Sequence, residues 1–577
     1  MNNQFFFCQT TKLGLGLLII YRAIINFRSL KLRNKFSYLP ALSHHYNYED
    51  YKGYNEKYRN FNWNIGAAIL ASVLVSSTST GNFIGFHLIV NYLIMNDISD
   101  VYHMSLVYHR NSFWVTYRHG VYDVTSFLPS HPGGEQIYNA AGLSIEPFWN
   151  VYGMHKTKEV YELLESYRIG NLHDDDLVDH SDEELWATEP YRDPRLIVKT
   201  AKPFNAEIPP EYQIAHFDTP NELFYVRQHM PVPELDAGAH RVRVVLEDTG
   251  HSREFSLQQL RSLPAASVRA ALMCAGNRRS EMHKVKPVKG IDWAGGAISN
   301  AVWSGVYLRD VLLTCGVDPD DTEGKHVILT GADIDATGQN FSTSIPLRLA
   351  LDASARVLLA THMNGEPLPP DHGRPLRVIV PGAPAVRSVK WLECITISSE
   401  ESSSHWHKKD YRAFNPSTTW ESADFERAPP VYSLPVTSAI CAPRHGDTVT
   451  VRHGHIEAAG EGATPRTYTS QHALVLCTLT TCAGYAYSGG GARVVRVDVS
   501  ADGGRSWTEA RLQQDAAPHR EHYAWTLWTV RLPVPAELWV KATDGNLNTQ
   551  PETFEHIWNI RGILSNAYHR VTVRLQH

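Results

Sequence analysis

The chain has 577 residues, with 54 Lys and Arg against 60 Asp and Glu, and 43% of its residues are hydrophobic. This length is too great for a single hydrophobic core, so we expect three or four globular units. The formal net charge of -6 argues against a nucleic-acid-binding protein, which normally carries a basic surplus on one face. The seven cysteines are too scattered for a disulfide scaffold, and none has the spacing of a zinc site.

The N-terminal segment is basic and apolar. Its first 48 residues contain no Asp or Glu but several Lys and Arg, a composition typical of a mitochondrial presequence. Two apolar runs, 13–20 and 65–75, are shorter than the roughly 20 residues that a membrane-spanning helix needs. We therefore expect residues 1–95 to be a targeting and sorting segment for the mitochondrial intermembrane space, without stable membrane insertion. The alternative is an incorrect gene model at this end.

Two histidines follow, beside a β-rich segment. Residues 113–117 and 121–125 flank a Gly-containing turn and predict a β-hairpin. Pro132 and Gly133 then predict a tight turn that presents His131 outward, and His155 follows 24 residues later. Either histidine alone is more often a surface or packing residue. Together, two neutral imidazoles can hold a haem iron from both sides and leave no open position for substrate, which makes an electron carrier.

The His-Pro-Gly-Gly sequence at 131–134 and the second histidine resemble the cytochrome b5 family. We expect this haem domain over residues 96–172, with His131 and His155 as iron ligands. Residues 173–193 then carry nine acidic side chains against one basic one, Arg192. Such a run repels itself and cannot form a core, which predicts an acidic flexible linker over residues 173–197. A solvated helix face is the alternative.

A single cysteine stands in an arginine-rich turn. Cys274 precedes Ala275 and Gly276, whose small side chains let a bulky group approach the backbone, and Arg278 and Arg279 follow. Nearby positive charge favours the thiolate, which is the form that ligates metals. A free cysteine is usually a small buried hydrophobe. Two adjacent arginines are unusual beside such a thiol, and they favour a functional role.

Further basic residues stand at turns of the same region. They are Arg227, His229, Arg279, His372, Arg377, Arg387 and Lys390. Any one of them alone could be ordinary surface charge. As a set, cations in loops after strands can neutralise a phosphate and a dianionic substrate together. They predict a compact anion-binding cavity within a mildly acidic chain.

Together these motifs resemble the animal sulfite oxidase family, whose members join a cytochrome b5 domain to a molybdenum-cofactor domain. The resemblance covers about residues 96–577 and is carried by the segments 202–207, 274–282, 371–373, 408–411 and 558–562. The fold that it implies is α+β and multidomain. It has a cytochrome b5-like haem domain, a mixed α+β molybdopterin domain at 198–430 and an immunoglobulin-like β-sandwich at 431–577.

The resemblance also implies functional residues. Cys274 would be the protein ligand of molybdenum. The oxyanion would be surrounded by Arg227, Arg279, Trp293, Tyr411 and Arg561. The pyranopterin and its phosphate would be held by Tyr225, Val226, Arg227, Gln228, His229, Asp333, His372, Arg377, Ser388, Val389 and Lys390. The implied cofactors are molybdopterin-bound molybdenum and haem b.

The C-terminal region alternates apolar and polar residues. Residues 494–500, a Gly503-Gly504 turn and residues 506–512 predict a β-hairpin, and several such segments predict a β-sandwich. In the resembled family this domain forms the homodimer and lends Arg561 to the active site. Residues 461–483 interrupt the pattern. They are either a surface insertion or an unspliced intron in the gene model, and in the latter case Cys477 and Cys482 carry no function.

The function implied is oxidation of sulfite to sulfate, with electrons passed through haem to cytochrome c. Sulfite is a compact anion that needs cationic donors for orientation, and the transfer of an oxygen atom requires no general base. Assimilatory nitrate reductase is an alternative, but its modules run molybdenum, dimer, haem, flavin, whereas here the haem segment comes first. A non-enzymatic haem carrier with a degenerate molybdenum region is the other alternative.

Overall fold

The computed structural model describes residues 112–131, 133–152, 155–173, 176–177, 185–450, 479–533 and 537–576. The predicted targeting segment, residues 1–95, lies outside these ranges, as do residues 174–175 and 178–184 of the acidic run. Within them, no helix has both the length and the apolar character needed to cross a membrane.

Residues 112–173 form a small unit around a three-stranded antiparallel sheet of order β1-β2-β3. Its elements are β1 (Trp114–Tyr117), β2 (Gly120–Asp123), α1 (Glu146–Val151), α2 (Lys158–Glu165) and β3 (Arg168–Asn171), with 3-10 turns at Thr125–Ser130 and Gly134–Ala140. The first two strands pair from Trp114 with Asp123 to Tyr117 with Gly120, which confirms the predicted hairpin. The hydroxyl of Thr157 caps α2 by accepting a hydrogen bond from the Val160 amide.

The described part of the predicted linker is held by specific contacts. Trp186 is buried against the haem unit, to which its indole is hydrogen-bonded. Glu189 and Arg192 form an ion pair, and Arg192 also pairs with Asp371 of the following domain. Residues 186–192, at the C-terminal end of the acidic run, are therefore anchored on both sides.

The next unit is a mixed α+β domain. Its elements in chain order are β4 (Ile197–Thr200), β5 (Asn205–Glu207), α3 (Pro210–Ala215), β6 (Val226–Arg227), β7 (Arg241–Leu246), β8 (His251–Ser256), α4 (Leu257–Arg261), β9 (Ala265–Met273), α5 (Arg279–Val285), β10 (Ile298–Tyr307), α6 (Leu308–Thr314), β11 (His326–Ile334), β12 (Asn340–Pro346), α7 (Leu347–Leu351), β13 (Leu358–Met363), β14 (Glu366–Pro367), β15 (Arg377–Ile379) and β16 (Leu392–Ser398). A π-helical turn follows at Trp406–Asp410.

Two five-stranded sheets organise this domain. One has the order β14-β13-β10-β9 with β15 beside β13, and the other has the order β12-β11-β16-β7-β8. In the second sheet β16 and β7 run parallel, while its other pairs are antiparallel. Helices α4, α6 and α7 pack on this sheet. Their side chains Leu260, Val311 and Ala350 are buried together with Val244 and Leu329 of the strands. This core fixes the strand ends from which the functional side chains project.

The C-terminal unit is a β-sandwich, as predicted. Its strands are β17 (Thr437–Ala442), β18 (Thr448–Thr450), β19 (Leu479–Tyr487), β20 (Val494–Ser500), β21 (Thr508–Glu509), β22 (Arg511–Gln513), β23 (Thr526–Pro533), β24 (Glu537–Asp544), β25 (His569–Thr572) and β26 (Arg574–Gln576). The two sheets have the orders β17-β19-β23-β22 and β21-β20-β24-β25. Gly503 and Gly504 join β20 to β21 with φ of 70° and 82°, a conformation that glycine adopts without strain.

The prediction of an insertion over residues 461–483 is wrong for its last five residues. Residues 479–483 belong to β19, and Cys482 pairs with Val530 of β23. The Cys482 side chain is fully buried in the sandwich core. These residues are therefore part of the domain, with a packing role for Cys482. Residues 461–478, including Cys477, lie outside the described residues.

Candidate functional site

The structure brings the two predicted haem ligands face to face. The ring centroids of His131 and His155 lie 6.2 Å apart, with 8° between the ring planes. Nδ1 of His131 lies 3.0 Å from the Gly134 carbonyl oxygen, and Nδ1 of His155 lies 2.9 Å from that of Tyr152. When each Nδ1–H donates to its carbonyl oxygen, the Nε2 atoms are left as ligands.

Burial keeps both imidazoles in the form that binds iron. It lowers the pKa of His131 and of His155, so both rings are neutral at physiological pH. Trp149 stacks on His155 with a centroid distance of 5.6 Å, and Phe127 packs edge-on against His131. Two neutral, oriented imidazoles across a narrow gap with aromatic walls fit a haem group ligated on both faces.

A second site lies in the α+β domain, in a cavity formed where several strands end. Cys274 directly follows β9, Arg227 ends β6, Asp333 lies near the end of β11, and Lys390 precedes β16. The lining includes most of the predicted cofactor residues: Tyr225, Arg227, Gln228, His229, Cys274, Asp333, His372, Arg377, Ser388, Val389, Lys390 and Tyr411. Residues far apart in the chain thus meet at one site.

Val226 is the exception among the predicted cofactor residues. Its side chain packs in a separate cluster with Leu196 and Ala206, because consecutive side chains of β6 point to opposite faces. Only its backbone is available to the cavity. The sequence prediction also left out several lining residues, among them Phe224, Ala275, Phe341 and Asp371. Asp371 could have been found from the sequence, because it stands beside His372 in one of the segments that carry the family resemblance.

Cys274 sits on the cavity wall with a free thiol. Its amide donates a 2.9 Å hydrogen bond to the Ala297 carbonyl oxygen, which fixes the turn after β9. A side chain at Gly276 would meet the Arg279 guanidinium at 2.5 Å. Glycine is therefore needed for Arg279 to fold back towards the cysteine.

Two further cations are buried in the cavity without enough negative charge to match them. Burial lowers the pKa of Arg377 to about 10, and it also lowers that of Lys390. Nε of Arg377 and Oδ1 of Asp333 have no hydrogen-bond partner in the described part of the chain. Buried polar atoms are normally paired. A buried cationic cradle with unpaired donor and acceptor atoms fits a polar, phosphate-bearing ring system such as molybdopterin.

Lys390 organises the same wall. Its Nζ donates to the backbone oxygens of Arg227 and Asp371, each at 3.0 Å, and to Oε1 of Gln228. Gln228 in turn donates a 2.9 Å hydrogen bond to the Asp371 carboxylate. Burial lowers the pKa of His372 to about 3, so this imidazole is neutral. The wall is rigid, hydrogen-bonded and positive.

The predicted oxyanion residues are grouped around Arg279. This arginine is 9% exposed. Its Nε donates a 3.1 Å hydrogen bond to the Gly562 carbonyl oxygen and a 3.3 Å hydrogen bond to the Arg561 carbonyl oxygen. Burial lowers its pKa, while the neighbouring Cys274 opposes this effect. No ion pair between Arg279 and a carboxylate occurs among the described residues. An anion in this position would balance its charge.

Two of the other predicted oxyanion residues, Arg227 and Tyr411, line the cavity, whereas Arg279, Trp293 and Arg561 are not among its lining residues. Trp293 is buried in the hydrophobic cluster that includes Cys274. The Arg561 guanidinium binds the Asp410 carboxylate. The Tyr411 hydroxyl lies 3.4 Å from Nε2 of His229. Burial raises the pKa of Tyr411, so its phenol stays protonated at neutral pH.

One contact to the cavity wall comes from the acidic run. Arg192 donates from Nε to Oδ2 of Asp371 at 3.0 Å and from NH2 to Oδ1 at 2.8 Å. Both side chains are nearly buried, with exposed fractions of 11% and 9%. No local pattern in the sequence indicates this pair, because its partners are 179 residues apart.

Three family models match the chain. A cytochrome b5-like haem/steroid-binding domain matches residues 103–173, an oxidoreductase molybdopterin-binding domain matches 229–406, and a Mo-co oxidoreductase dimerisation domain matches 467–576. The mitochondrial sulfite oxidase of Drosophila melanogaster is 48% identical over 475 residues, which cover 80% of this chain and 78% of that protein. The mitochondrial sulfite oxidase of Homo sapiens is 46% identical over 472 residues, or 80% and 82% of the two chains.

More distant relatives were also found. The NADH nitrate reductase of Solanum lycopersicum is 36% identical over 401 residues, which cover 66% of this chain but 41% of that protein. Among solved structures, the sulfane dehydrogenase of Paracoccus pantotrophus has a TM-score of 0.50 and 23% identity, covering 70% of this chain and 94% of that one. This last similarity concerns the fold alone.

Proposed function

The chain belongs to the sulfite oxidase family, and from that premise we propose that it oxidises sulfite to sulfate and passes the electrons through haem to cytochrome c. The observation that carries this proposal is the buried Arg279 guanidinium, which lies beside the free thiol of Cys274 without a carboxylate partner among the described residues. A small divalent oxyanion balances the charge of such a pocket.

The molybdenum cofactor, when bound, supplies the two-electron redox centre of the reaction. Cys274 is the residue proposed to ligate the metal. Arg377, whose Nε has no hydrogen-bond partner among the described residues, is proposed to hold the phosphate of the pterin, and Lys390 would add positive charge to the same wall. The neutral His372 and the Gln228 amide offer hydrogen bonds to its ring system. His131 and His155 would hold the haem iron through their Nε2 atoms, because each Nδ1 lies within hydrogen-bonding distance of a backbone carbonyl oxygen.

The side chains of the pocket bind and orient the anion. Arg227, Arg279 and Arg561 would donate hydrogen bonds to the sulfite oxygens and leave the sulfur lone pair pointing inward. Tyr411 remains protonated, so its hydroxyl can donate to the oxyanion or to Nε2 of His229. The pKa of His229 lies well below its usual value because the ring is buried, which leaves a neutral acceptor for the Tyr411 proton.

The haem unit lies against the molybdenum domain. Nε2 of Gln136 lies 2.5 Å from Nδ1 of His405, and Tyr152 packs against the core of the α+β domain. This arrangement supports electron transfer between the two domains. We further propose that the acidic run lets the haem unit leave this position to reduce an external acceptor, cytochrome c.

The order of the modules distinguishes this chain from nitrate reductase. The haem-domain match at 103–173 precedes the molybdopterin-domain match at 229–406, the reverse of the order expected for nitrate reductase. A haem carrier without catalytic activity is disfavoured by the cationic cavity around Cys274.

The dimerisation-domain match indicates a homodimer. Close relatives are named as mitochondrial proteins, which indicates a mitochondrial location. The intermembrane space is our proposal, and it rests on the basic N-terminal segment followed by a short apolar run.

The proposed function is tested by an anaerobic sulfite titration of the purified holoenzyme, monitored at the haem Soret band. We expect stoichiometric haem reduction in the parent protein and none in Cys274→Ser, whose haem content should be unchanged. Cys394→Ser provides a matched control at a free cysteine outside the cavity. Reduction of the haem by sulfite in Cys274→Ser at the parent level would contradict the assignment.

A further inference from the structure

The turn that leads into Tyr411 contains a buried histidine, His407. It lies in the π-helical turn Trp406–Asp410, and Tyr411 is the residue that ends this turn. π-helical turns are rare and frequently occur at functional sites. The His407 side chain is fully buried, yet it is not among the residues that line the cavity. Any role that it has in the cavity is therefore exerted through its neighbours.

His407 connects a buried cation to a carboxylate. NH1 of Arg387 donates a 2.7 Å hydrogen bond to Nδ1 of His407, and Nε2 of His407 lies 3.2 Å from Oε2 of Glu401. Because an arginine offers only donors, Nδ1 must be the acceptor, and the ring proton on Nε2 is donated to the carboxylate. Burial lowers the pKa of His407 to about 4, which keeps the ring neutral at physiological pH. The imidazole is thus held in one tautomer and one orientation.

Arg387 extends this arrangement to the backbone of Tyr411. Its Nε and NH2 donate hydrogen bonds of 3.1 Å and 3.0 Å to the Val431 carbonyl oxygen. The Val431 amide in turn donates a 3.0 Å hydrogen bond to the Tyr411 carbonyl oxygen, and the two side chains pack in one cluster with Ala275. The path from His407 to Tyr411 is therefore continuous.

The guanidinium of Arg387 is fully buried and hydrogen-bonds only neutral groups among the described residues. A buried charge depends on every hydrogen bond that it makes, so loss of the His407 acceptor would displace it. Arg387 ends a 3-10 turn, and its chain neighbours Val386 and Ser388 line the cavity. It therefore joins this part of the cavity wall to the turn that carries Tyr411.

We propose that His407 is a positioning residue that sets, through Arg387, the place of the Tyr411 hydroxyl in the cavity. The inference rests on the proposed function, in which that hydroxyl donates to the oxyanion, and it adds the residue that orients this donor. His407 itself does not line the cavity.

The test compares His407→Leu and His407→Gln in the full-length holoenzyme. Leucine removes both ring nitrogens, whereas the glutamine amide offers an acceptor to Arg387 and a donor to Glu401. Sulfite oxidation is measured with ferricyanide, and sulfate binding is measured separately by calorimetry. In His407→Leu we expect the sulfite KM and the sulfate Kd to rise about 5- to 30-fold. In His407→Gln both constants should stay within about threefold of the parent.

A double-mutant cycle with Tyr411→Phe shows whether the effect passes through the Tyr411 hydroxyl. Once that hydroxyl is removed, His407→Leu should change the sulfate Kd by less than about twofold. Crystal structures of the variants give a second measurement, which does not depend on turnover. The distance from the Tyr411 hydroxyl to Nε2 of His229, which is 3.4 Å here, should change by about 1 Å in His407→Leu and stay the same in His407→Gln.

His522→Leu is the matched control, because His522 is a similarly buried histidine that lies 3.1 Å from the Asp515 carboxylate and outside the cavity. Its KM and Kd should equal those of the parent. If His407→Leu does not fold, Thr343→Val takes its place, since it removes the other acceptor of Arg387 NH1 with little change of shape. We expect Thr343→Val to raise the sulfate Kd about 2- to 10-fold.

An unchanged sulfate Kd with an unmoved Tyr411 hydroxyl in His407→Leu would overturn the inference. So would a His407→Gln variant as impaired as His407→Leu, an equal effect of His522→Leu, or effects that multiply in the double mutant. If the parent itself fails to oxidise sulfite, the proposed function is wrong, and the position of the Tyr411 hydroxyl in the variants still decides the role of His407.

Discussion

The indole N–H of Trp186 donates a 2.9 Å hydrogen bond to the backbone oxygen of Asn150. Trp186 belongs to the acidic run, whereas Asn150 lies in α1 of the haem unit. The Trp186 ring is 8% exposed, and Lys202 of the following domain lies 5.8 Å from its centroid. One side chain therefore joins the haem unit to the start of the molybdenum domain.

This contact predicts the behaviour of Trp186→Ala. Loss of a buried indole removes about 2 kcal/mol of apolar burial from the docked arrangement. We expect haem reduction by sulfite, followed by stopped flow, to slow by about 3- to 30-fold, while sulfite oxidation with ferricyanide is unchanged. Tyr191→Ala, at a neighbouring side chain that is 87% exposed, should leave both rates alone. Equal rates of haem reduction in Trp186→Ala and the parent would contradict the anchoring role.

Replacement of His155 by Ala should separate the two halves of the electron path. Because one of the two facing imidazoles is lost, we expect the Soret band of six-coordinate haem and cytochrome c reduction to disappear. Ferricyanide reduction by sulfite should persist, since the molybdenum cavity is untouched. His119→Ala, at an exposed histidine of the same unit, serves as the control. Retention of a normal haem spectrum in His155→Ala would exclude this residue as a ligand.

The ion pair between Arg192 and Asp371 should contribute to stability. Arg192→Gln leaves the Asp371 carboxylate nearly buried with only the Gln228 amide as a side-chain donor. We expect the free energy of unfolding of the molybdenum domain to fall by about 3 kcal/mol, as measured by urea denaturation. Arg195→Gln removes a 44% exposed partner of Asp193 and should cost less than about 1 kcal/mol. Similar effects of the two changes would argue against a special role for Arg192.

Acid should destabilise the protein through buried histidines. Burial lowers the pKa of His569 to about 4 from an ordinary value of 6.5, and its Nδ1 accepts a 3.1 Å hydrogen bond from the Ile440 amide. Because the unfolded state binds the proton more readily, the stability from this group is complete above pH 6.5 and is lost as the pH falls towards 4.

We therefore expect the free energy of unfolding to decrease by about 1–3 kcal/mol per such histidine over that interval. His569→Gln keeps a side-chain acceptor for the Ile440 amide and should flatten this part of the curve. His216→Gln, at an exposed histidine, should not. A pH profile of urea denaturation for the three proteins measures the difference, and identical slopes would refute the assignment to His569.

Local patterns in the sequence were enough to predict the modules. Side-chain alternation and turn residues predicted the hairpin of β1 and β2 and the sandwich strands, and short motifs indicated the family. All of these signals lie within a few residues of one another. The candidate site residues that stand inside such motifs, including Cys274, His131 and His372, could be named for the same reason.

Packing between distant segments decided the rest. Alternation along β6 turns the Val226 side chain away from the cavity, and strand pairing places Cys482 in the sandwich core rather than in an insertion. The acidic composition predicted a free linker, but Trp186 and Arg192 are held by residues of two different domains.

By itself, the sequence determined which domains the chain contains and which side chains could ligate haem and molybdenum, because those signals are local. The tertiary structure alone decided which carboxylate holds Arg192 and which imidazole lies beside the Tyr411 hydroxyl. Such pairs join residues more than 100 positions apart, and their contacts depend on the packing of whole domains, which no short pattern encodes.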